Sequence, residues 1–309
     1  MTAPAEHTVP PIATADAALV AIAERRQALK RARKRFLADR DADALHDLRV
    51  AIRRLRAALS LFEPAVVLPR RCRDRQLWQV GRRLADLRDR DVLRSAVTSD
   101  AAAAAGIAAD LIEDVESGRR DALAKAERAS RRRRTRRMLR GFARWERRPR
   151  FHVEPGETIG TALPPLVRAH AGAFASHPAW ALKLRRDAAG RIEDAEGALD
   201  PDGVLNSLHA LRRRAKRLRY ELEIAAPLLG WDEERAMTYL RDIQDALGEL
   251  QDVRVIEAAL DSAEPVGDGF RHWLTERRYQ ALEQWRRLRR KRAEPVLALV
   301  QWSALPGAD

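Results

Sequence analysis

The segment "LHDLRVAIRRLRAALSLFEP", from Leu45 to Pro64, combines a helical hydrophobic pattern with a row of cations. Four of its five leucines recur at intervals that suit one face of a helix; they are Leu45, Leu48, Leu55 and Leu59. A proline then closes the segment, and proline is incompatible with a helix interior. The segment therefore predicts an amphipathic helix, which we place at Ala42–Phe62.

The cations of this helix share one flank, directly beside the apolar face. They are His46, Arg49, Arg53 and Arg56, whereas Arg54 points to another face. No Asp or Glu lies between Arg49 and Ser60 to neutralise them by helix-surface pairing. One interpretation is a solvated face whose arginine stems cover the core. The other is a recessed groove whose cations bind an anion, because uncompensated like charges are costly without a partner.

The same pattern recurs in the second half as "LHALRRRAKRLRYELEIAAP", from Leu208 to Pro227. His46 aligns with His209, 163 residues later, and the cations aligned with the first set are Arg212, Lys216 and Arg219. At the same offset "LADLRDRDVL" (Leu84–Leu93) aligns with "LGELQDVRVI" (Leu247–Ile256). Because the same offset aligns two separate blocks of sequence, we predict that the chain contains an internal duplication. Two similar halves are expected to pack about a pseudo-twofold axis, with equivalent helices facing each other across a groove.

The chain is predicted to be all-α, because Ala, Leu, Arg and Glu dominate and no stretch alternates with period two. We predict a disordered tail over 1–14, a first four-helix half over 15–147, a connector over 148–162 and a second four-helix half over 163–309. The predicted helices are Ala15–Leu37, Ala42–Phe62, Pro69–Val97, Ala101–Arg147 with a break near Gly118, Leu163–Phe174, Asp202–Leu229, Asp232–Leu260 and Asp268–Trp302.

Composition points to a polyanionic partner. The 309 residues carry a net charge of +14, and the sequence pI is about 10.9. Such a charge suits nucleic acid, an acidic membrane or a free phosphate polymer, although an arginine-rich soluble protein is the plainer alternative. The single cysteine, Cys72, excludes an internal disulfide framework and argues against a cysteine-based zinc site. With no secretory signal and no apolar run of about 18 residues, we expect a cytoplasmic protein.

Two further functions are alternatives to binding of a free phosphate polymer. A nucleic-acid-binding protein would suit the charge, but no helix-turn-helix, zinc finger or base-stacking pattern is present. A metal-dependent phosphohydrolase is suggested by His46–Asp47, which resembles an HD doublet, but the aligned pair is His209–Ala210. No Gly-rich phosphate loop or nucleophile motif occurs. We therefore expect no catalysis, no metal and no cofactor, with both alternatives left open.

The two histidine-led motifs, each followed by its Leu-x-x-Leu block, resemble the CHAD family, the conserved histidine α-helical domain. The carriers are "HDLRVAIRRLR" with "LADLRDRDVL", and "HALRRRAKRLRYELE" with "LGELQDVRVI", and the resemblance spans Ala15 to Trp302. It implies two four-helix bundles around a central basic pore that binds inorganic polyphosphate, without demonstrated catalysis and in association with polyphosphate granules. This chain departs from the family at Ala85, where glycine is usual, and at Gln251 and Val253–Arg254.

The predicted partner is thus inorganic polyphosphate, with no specific nucleic acid and no membrane; protein partners are left unassigned. Arg26, Lys30 and Arg33 share a face of the first helix and are added as a rim of the same surface. The predicted polyphosphate-binding residues are His46, Arg49, Arg53, Arg56, His209, Arg212, Lys216, Arg219, Arg26, Lys30 and Arg33. Asp89 and Asp252, which occupy the same position in the two copies, are expected to orient arginines of neighbouring helices by salt bridges.

Overall fold

The computed structural model describes residues 12–104, 109–154, 156–186, 192–195, 201–260 and 267–302. Within these ranges the chain is almost entirely α-helical, which confirms the all-α class. None of the described helices is long and apolar enough to span a membrane. The helices of the first half are α1 (Thr14–Asp39), α2 (Ala42–Leu61), α3 (Asp74–Arg83), α4 (Ala85–Val97), α5 (Asp100–Ala104), α6 (Ala109–Arg131) and α7 (Arg133–Arg147).

The second half contains longer helices and a small hairpin. Its helices are α8 (Ile159–Ala175), α9 (Pro201–Leu229), α10 (Glu234–Leu260), α11 (Asp268–Arg290) and α12 (Glu294–Trp302). Strands β1 (Leu184–Arg186) and β2 (Ile192–Asp194) pair antiparallel, with Arg185 opposite Glu193. The sequence did not predict this hairpin, because three-residue strands are too short to show period-two alternation.

Helix α2 forms as its sequence predicts and is central to the fold. The Asp41 carboxylate accepts the Ala44 N–H and caps the helix N-terminus. Its apolar face is buried and packs against α1 on one side and α9 on the other. The cationic flank therefore lies at the border between α2 and the second half of the chain.

The predicted helix Pro69–Val97 is wrong as a single element, because the chain breaks at Leu84 between α3 and α4. The Leu84 carbonyl at this break accepts hydrogen bonds from the Arg88 N–H at 3.4 Å and from Arg49 Nη1 at 3.1 Å. The corresponding part of the second half, α10, is continuous. A side chain of α2 therefore contacts the chain at the point where α3 ends and α4 begins.

The predicted break near Gly118 is also wrong, since α6 runs through that glycine. The Arg90 guanidinium lies over it, so a Cβ there would approach Arg90 Nη1 to 2.7 Å. The glycine permits this close contact rather than interrupting the helix. The break falls instead at Arg132, which has extended backbone (φ −53°, ψ 142°).

The predicted last helix, Asp268–Trp302, is divided into α11 and α12 by a turn at Lys291–Ala293. Arg292 and Ala293 adopt positive φ values of 42° and 63°. The Tyr239 hydroxyl donates to the Leu288 carbonyl and accepts the Ala293 N–H, both at 3.1 Å. This buried tyrosine of α10 therefore holds the turn.

The predicted connector is fastened to the first half by backbone hydrogen bonds. His152 N–H donates to Ala65, and Val67 N–H donates to Arg150. Its end, from Ile159 onward, already belongs to α8, whose interior includes Pro164 and Pro165. Of the predicted disordered tail, residues 1–11 lie outside the described residues, whereas Ile12 and Thr14 bond to the connector through their backbone.

The larger of two hydrophobic clusters among the described residues runs through both halves. It includes Leu55 and Leu59 of α2 together with Leu218 and Leu222 of α9. Across the middle of the molecule α2 contacts α9, and α4 contacts α10. These are the helix pairs that the repeat makes equivalent, so equivalent helices do face each other. The duplication and the domain boundaries remain predictions from the sequence.

Candidate anion-binding site

The cationic flanks of α2 and α9 meet at the middle of the molecule. Arg49 and Arg53 interact electrostatically with Arg212 and Lys216 across the helix interface. Arg88 of α4 adds its charge to the same group. We call these residues the central cluster: Arg49, Arg53, Arg88, Arg212 and Lys216. The two histidine-headed flanks thus face each other, as the repeat predicts.

Backbone carbonyls hold three of the four arginines of the central cluster in place. Arg212 Nε donates to the Gln244 carbonyl at 3.1 Å, much as Arg49 donates to Leu84. Arg53 Nε donates to the Arg49 carbonyl at 3.2 Å. A guanidinium has five N–H donors, so one carbonyl contact leaves others for an anion. The arginines are therefore positioned before any ligand arrives.

Carboxylates only partly compensate the central cluster. Among the residues that the structure describes, no ion pair within 4.0 Å reaches Arg49, Arg53, Arg212 or Lys216. Asp252 pairs with Arg88 at 3.6 Å, which confirms the expected salt bridge to a neighbouring helix. Asp89 attracts Arg49 without forming such a pair in the described part of the chain. The cluster therefore keeps a surplus of positive charge.

The electrostatic cost of this surplus appears in the pKa values. Burial, followed by repulsion from Arg53, lowers the pKa of Arg49 to about 10. Burial, followed by repulsion from Arg212, lowers the pKa of Lys216 to about 6. Arg49 consequently stays charged at neutral pH, whereas Lys216 is mostly neutral until an anion arrives. An anion in the cluster would attract the charged form of each residue and so offset the lowering of both pKa values.

The two predicted histidines border the central cluster. Burial and then Arg53 lower the pKa of His46, while burial and then Arg213 lower the pKa of His209. Gln251 forms a hydrogen bond with the His209 side chain. Both imidazoles are therefore neutral at neutral pH, and each offers one ring N–H as a donor.

A cleft of about 1030 Å³ opens beside the central cluster and shares Arg53 and Lys216 with it. The acidic residues of its wall are Glu63 and Asp74. Cations line it much more densely; they are Arg53, Arg56, Arg73, Arg75, Arg213, Arg214, Lys216 and Arg217. Cations therefore outnumber carboxylates along the wall of this cleft.

Two predicted site residues already have partners within the protein. Arg56 makes a two-pronged contact with Asp74, at 2.6 and 2.9 Å, although it still lines the cleft. Arg219 bonds to Glu223 at 3.1 Å and to the Gln244 side chain at 3.2 Å. Their charge contributes to the local potential, but their guanidinium donors are less available than those of Arg49 and Arg212.

The predicted rim on α1 lies away from this site. Arg26 pairs with Glu146 of α7, Arg33 donates to the Ser130 carbonyl at 2.8 Å, and Lys30 is exposed. This face of α1 turns toward α6 and α7 rather than toward α9. The neighbouring Arg25 is the residue whose charge reaches α9, through Glu223.

Sequence reasoning missed several cations of the site. Arg88 lies in the second repeated block, so its motif could have signalled it. Arg213 and Arg217 follow His209 at helical spacing, but neither belongs to the aligned flank of His209, Arg212, Lys216 and Arg219. Arg73 and Arg75 follow a loop whose path no periodicity predicts. They enter the cleft only because α3 packs against α2.

Within the described residues, no cluster of three or more His, Cys, Asp or Glu side chains is arranged to hold a metal ion.

Comparison with curated proteins gave no match. The fold is similar to the crystal structure of the CHAD domain from the plant Ricinus communis, with 21% identity and a TM-score of 0.56 over 96% of this chain and 93% of that one. It is also similar to PptA from Streptomyces chartreusis, with 16% identity and a TM-score of 0.60 over 93% of this chain and 99% of that one.

At these identities the two structures establish the fold alone. The sequence itself matches the model of the CHAD domain over residues 20–261. That match includes α2, α4 and α9, which supply the central cluster, and the whole of α10. The chain therefore belongs to the CHAD domain family.

Proposed function

We propose that this protein binds inorganic polyphosphate in the central cluster and the adjoining cleft, without catalysing its turnover. The observation that carries the proposal is the meeting of Arg49 and Arg53 with Arg212 and Lys216, which no described carboxylate neutralises within ion-pair distance. Arginine suits this ligand because its planar fork donates paired hydrogen bonds to phosphate and stays charged.

A polymer gains more from this site than a single phosphate does. Its residues can contact the cluster and the cleft together, and linked contacts raise the overall affinity through effective concentration. Each phosphate neutralised by Arg or Lys releases condensed counterions, so affinity falls steeply with salt. Association with polyphosphate granules in the cytoplasm follows from the same binding, as part of the proposal.

A binding panel tests the function. Long-chain polyphosphate, tripolyphosphate, orthophosphate, duplex DNA and single-stranded RNA are titrated at two salt concentrations and matched phosphate content. We expect long-chain polyphosphate to bind tightest and to displace the nucleic acids. Tighter binding of DNA or RNA would overturn the proposal in favour of a nucleic-acid-binding protein.

Catalysis is tested separately. Polyphosphate is incubated with the protein and Mg²⁺, Mn²⁺ or Zn²⁺, and released orthophosphate is measured against a protein-free control. We expect no release above the control. Release that scales with protein concentration, and that disappears in a His46→Ala variant, would support the metal-dependent phosphohydrolase instead.

A further inference from the structure

Lys216 is the lysine of the central cluster, whose other members are arginines. Phosphate binding alone does not require a lysine at this position. It is half-buried on α9 and lines the wall of the cleft. The ammonium form of Lys216 is repelled by Arg212 of the same helix and by Arg49 and Arg53 of α2. Asp252 of α10 is the carboxylate that attracts it, but within the described ranges no ion pair or hydrogen bond holds its amine.

These surroundings make Lys216 a nucleophile. Burial, and then Arg212, Arg53 and Arg49, lower its pKa to about 6, against the opposing effect of Asp252. At neutral pH its amine is therefore largely unprotonated, with a free lone pair. A desolvated lysine beside other cations is a recognised way of activating an amine. Arginine could not act in this way, because it keeps its proton.

The neighbours of Lys216 define the reagent it would meet. Three guanidinium groups favour binding of a phosphate dianion. A reagent that reacts with the amine among them must also carry an electrophilic carbon beside that phosphate. An acyl phosphate, the mixed anhydride of a carboxylic acid and phosphoric acid, has both. We infer that Lys216 is a site of N-acylation by acyl phosphates, whose phosphate group docks on Arg49, Arg53 and Arg212.

The reaction is a redox-neutral acyl transfer. The Lys216 Nζ lone pair attacks the carbonyl carbon and forms the C–N bond of an amide. The bond between that carbon and the bridging oxygen breaks, and its electron pair leaves with the phosphate. The proton released from the amine passes to the phosphate, so hydrogen phosphate is the second product. The three arginines stabilise the charge that develops on the leaving group.

This inference rests on the anion-binding role proposed above, and it adds a means of regulating that role. Acylation converts the amine into a neutral amide that can no longer take up a proton. The acyl group also occupies the border between the central cluster and the cleft. An acylated chain should therefore bind polyphosphate more weakly than the unmodified chain.

The test uses the full chain with acetyl phosphate at pH 7.5, and peptide mass spectrometry follows each lysine with time. We expect Lys216 to be acetylated about tenfold faster than the exposed Lys30 and Lys34, because the arginines dock the phosphate of the reagent beside its unprotonated amine. Long-chain polyphosphate should suppress the reaction at Lys216 and leave the other two lysines unchanged.

Two controls isolate the role of the phosphate. An acetylating N-hydroxysuccinimide ester, which lacks phosphate, should lose most of the preference for Lys216. An Arg212→Gln variant should slow acetylation of Lys216 by acetyl phosphate but not that of Lys30, which reports that the reagent is active, and circular dichroism checks that the variant is folded.

The outcomes separate this inference from the proposed function, because polyphosphate binding is measured on the same preparation. A chain that binds polyphosphate but acetylates Lys216 no faster than Lys30 overturns the inference and leaves the proposed function standing. A chain that acetylates Lys216 selectively but does not bind polyphosphate overturns the proposed function and supports a site for small acyl phosphates.

Discussion

At the scale of single residues, Lys216 shows most clearly how burial and neighbouring charges act in the site. Its free amine has a pKa of about 6 because it is buried among Arg212, Arg53 and Arg49. A bound phosphate attracts the ammonium form and so raises this pKa. Binding therefore takes up a proton whenever the pH lies above the pKa of the free state and below that of the bound state.

We predict that polyphosphate affinity rises as the pH falls from 8 to 6, by up to about tenfold per pH unit for one linked proton. Lys216→Arg should bind with a weaker pH dependence, because arginine stays charged throughout this range. Calorimetry in buffers of different ionisation enthalpy measures the proton uptake directly. His46 and His209 also have lowered pKa values, so a His46→Asn, His209→Asn variant is the matched control. Identical pH slopes for wild type and Lys216→Arg would contradict the account.

Gly248 controls the position of Arg212. A Cβ at this residue would lie 2.6 Å from Arg212 Nη2, whereas the aligned residue of the first half is Ala85. We predict that Gly248→Ala displaces the guanidinium and lowers polyphosphate affinity severalfold. Stability should hold or rise, because alanine favours a helix over glycine by about 1 kcal/mol.

Ala85→Gly is the counterpart of this change, since it removes a methyl group instead of adding one. Its polyphosphate affinity should match that of the wild type. Titration of both variants with one polyphosphate preparation, together with thermal unfolding, checks the pair. Unchanged affinity in Gly248→Ala would show that the position of Arg212 is not critical.

At the scale of secondary-structure elements, a single carboxylate joins three helices. Glu221 of α9 is fully buried, with 0% of its surface exposed. It accepts hydrogen bonds from Ser60 of α2 at 3.0 Å and from Arg217 at 2.9 Å, and it contacts His170 Nδ1 of α8 at 2.8 Å. This network fixes α2 against α9, and thereby the spacing of the two cationic flanks.

We predict that Glu221→Gln lowers the free energy of unfolding by roughly 2 kcal/mol, because an amide cannot replace both carboxylate oxygens as acceptors and leaves a partner unsatisfied. Urea denaturation measures the loss. Glu63→Gln, at an exposed position of the same cleft, should change stability by less than about 0.5 kcal/mol. Equal stability of the two variants would mean that the buried network does not hold α2 and α9 together.

Helix identities could be predicted from the sequence, but helix breaks could not. The periodicity of α2 and α9 is local, and both helices form with nearly the predicted bounds. The breaks at Leu84 and Ala293 involve distant partners, Arg49 and the Tyr239 hydroxyl. Gly118 is the opposite case. This glycine makes room for the Arg90 side chain and does not mark a turn.

At the scale of the whole molecule, the repeat predicted the central cluster more reliably than the charge did. Two aligned flanks had to face each other if the halves packed symmetrically, and they do. The α1 rim was inferred from charge alone, and its residues lie elsewhere. The breadth of the cleft could not be predicted, because Arg73 and Arg75 reach it through the packing of α3 on α2.

Positive charge also covers the outside of the molecule. Arg133 and Arg137 of α7 are exposed, and neither forms an ion pair with another described residue. Such a surface attracts any polyanion over long range, but it lacks the backbone-anchored arginines of the central cluster. The two regions should therefore differ in their contribution to affinity even when the same number of charges is changed.

The most direct measurement compares two double variants of equal charge in the titration of long-chain polyphosphate at one salt concentration. We predict that Arg49→Glu with Arg212→Glu nearly abolishes binding while helicity persists by circular dichroism. Arg133→Glu with Arg137→Glu should weaken binding no more than severalfold. Retained affinity in the first variant, or an equal loss in both, would contradict the claim that polyphosphate binds where the two cationic flanks meet.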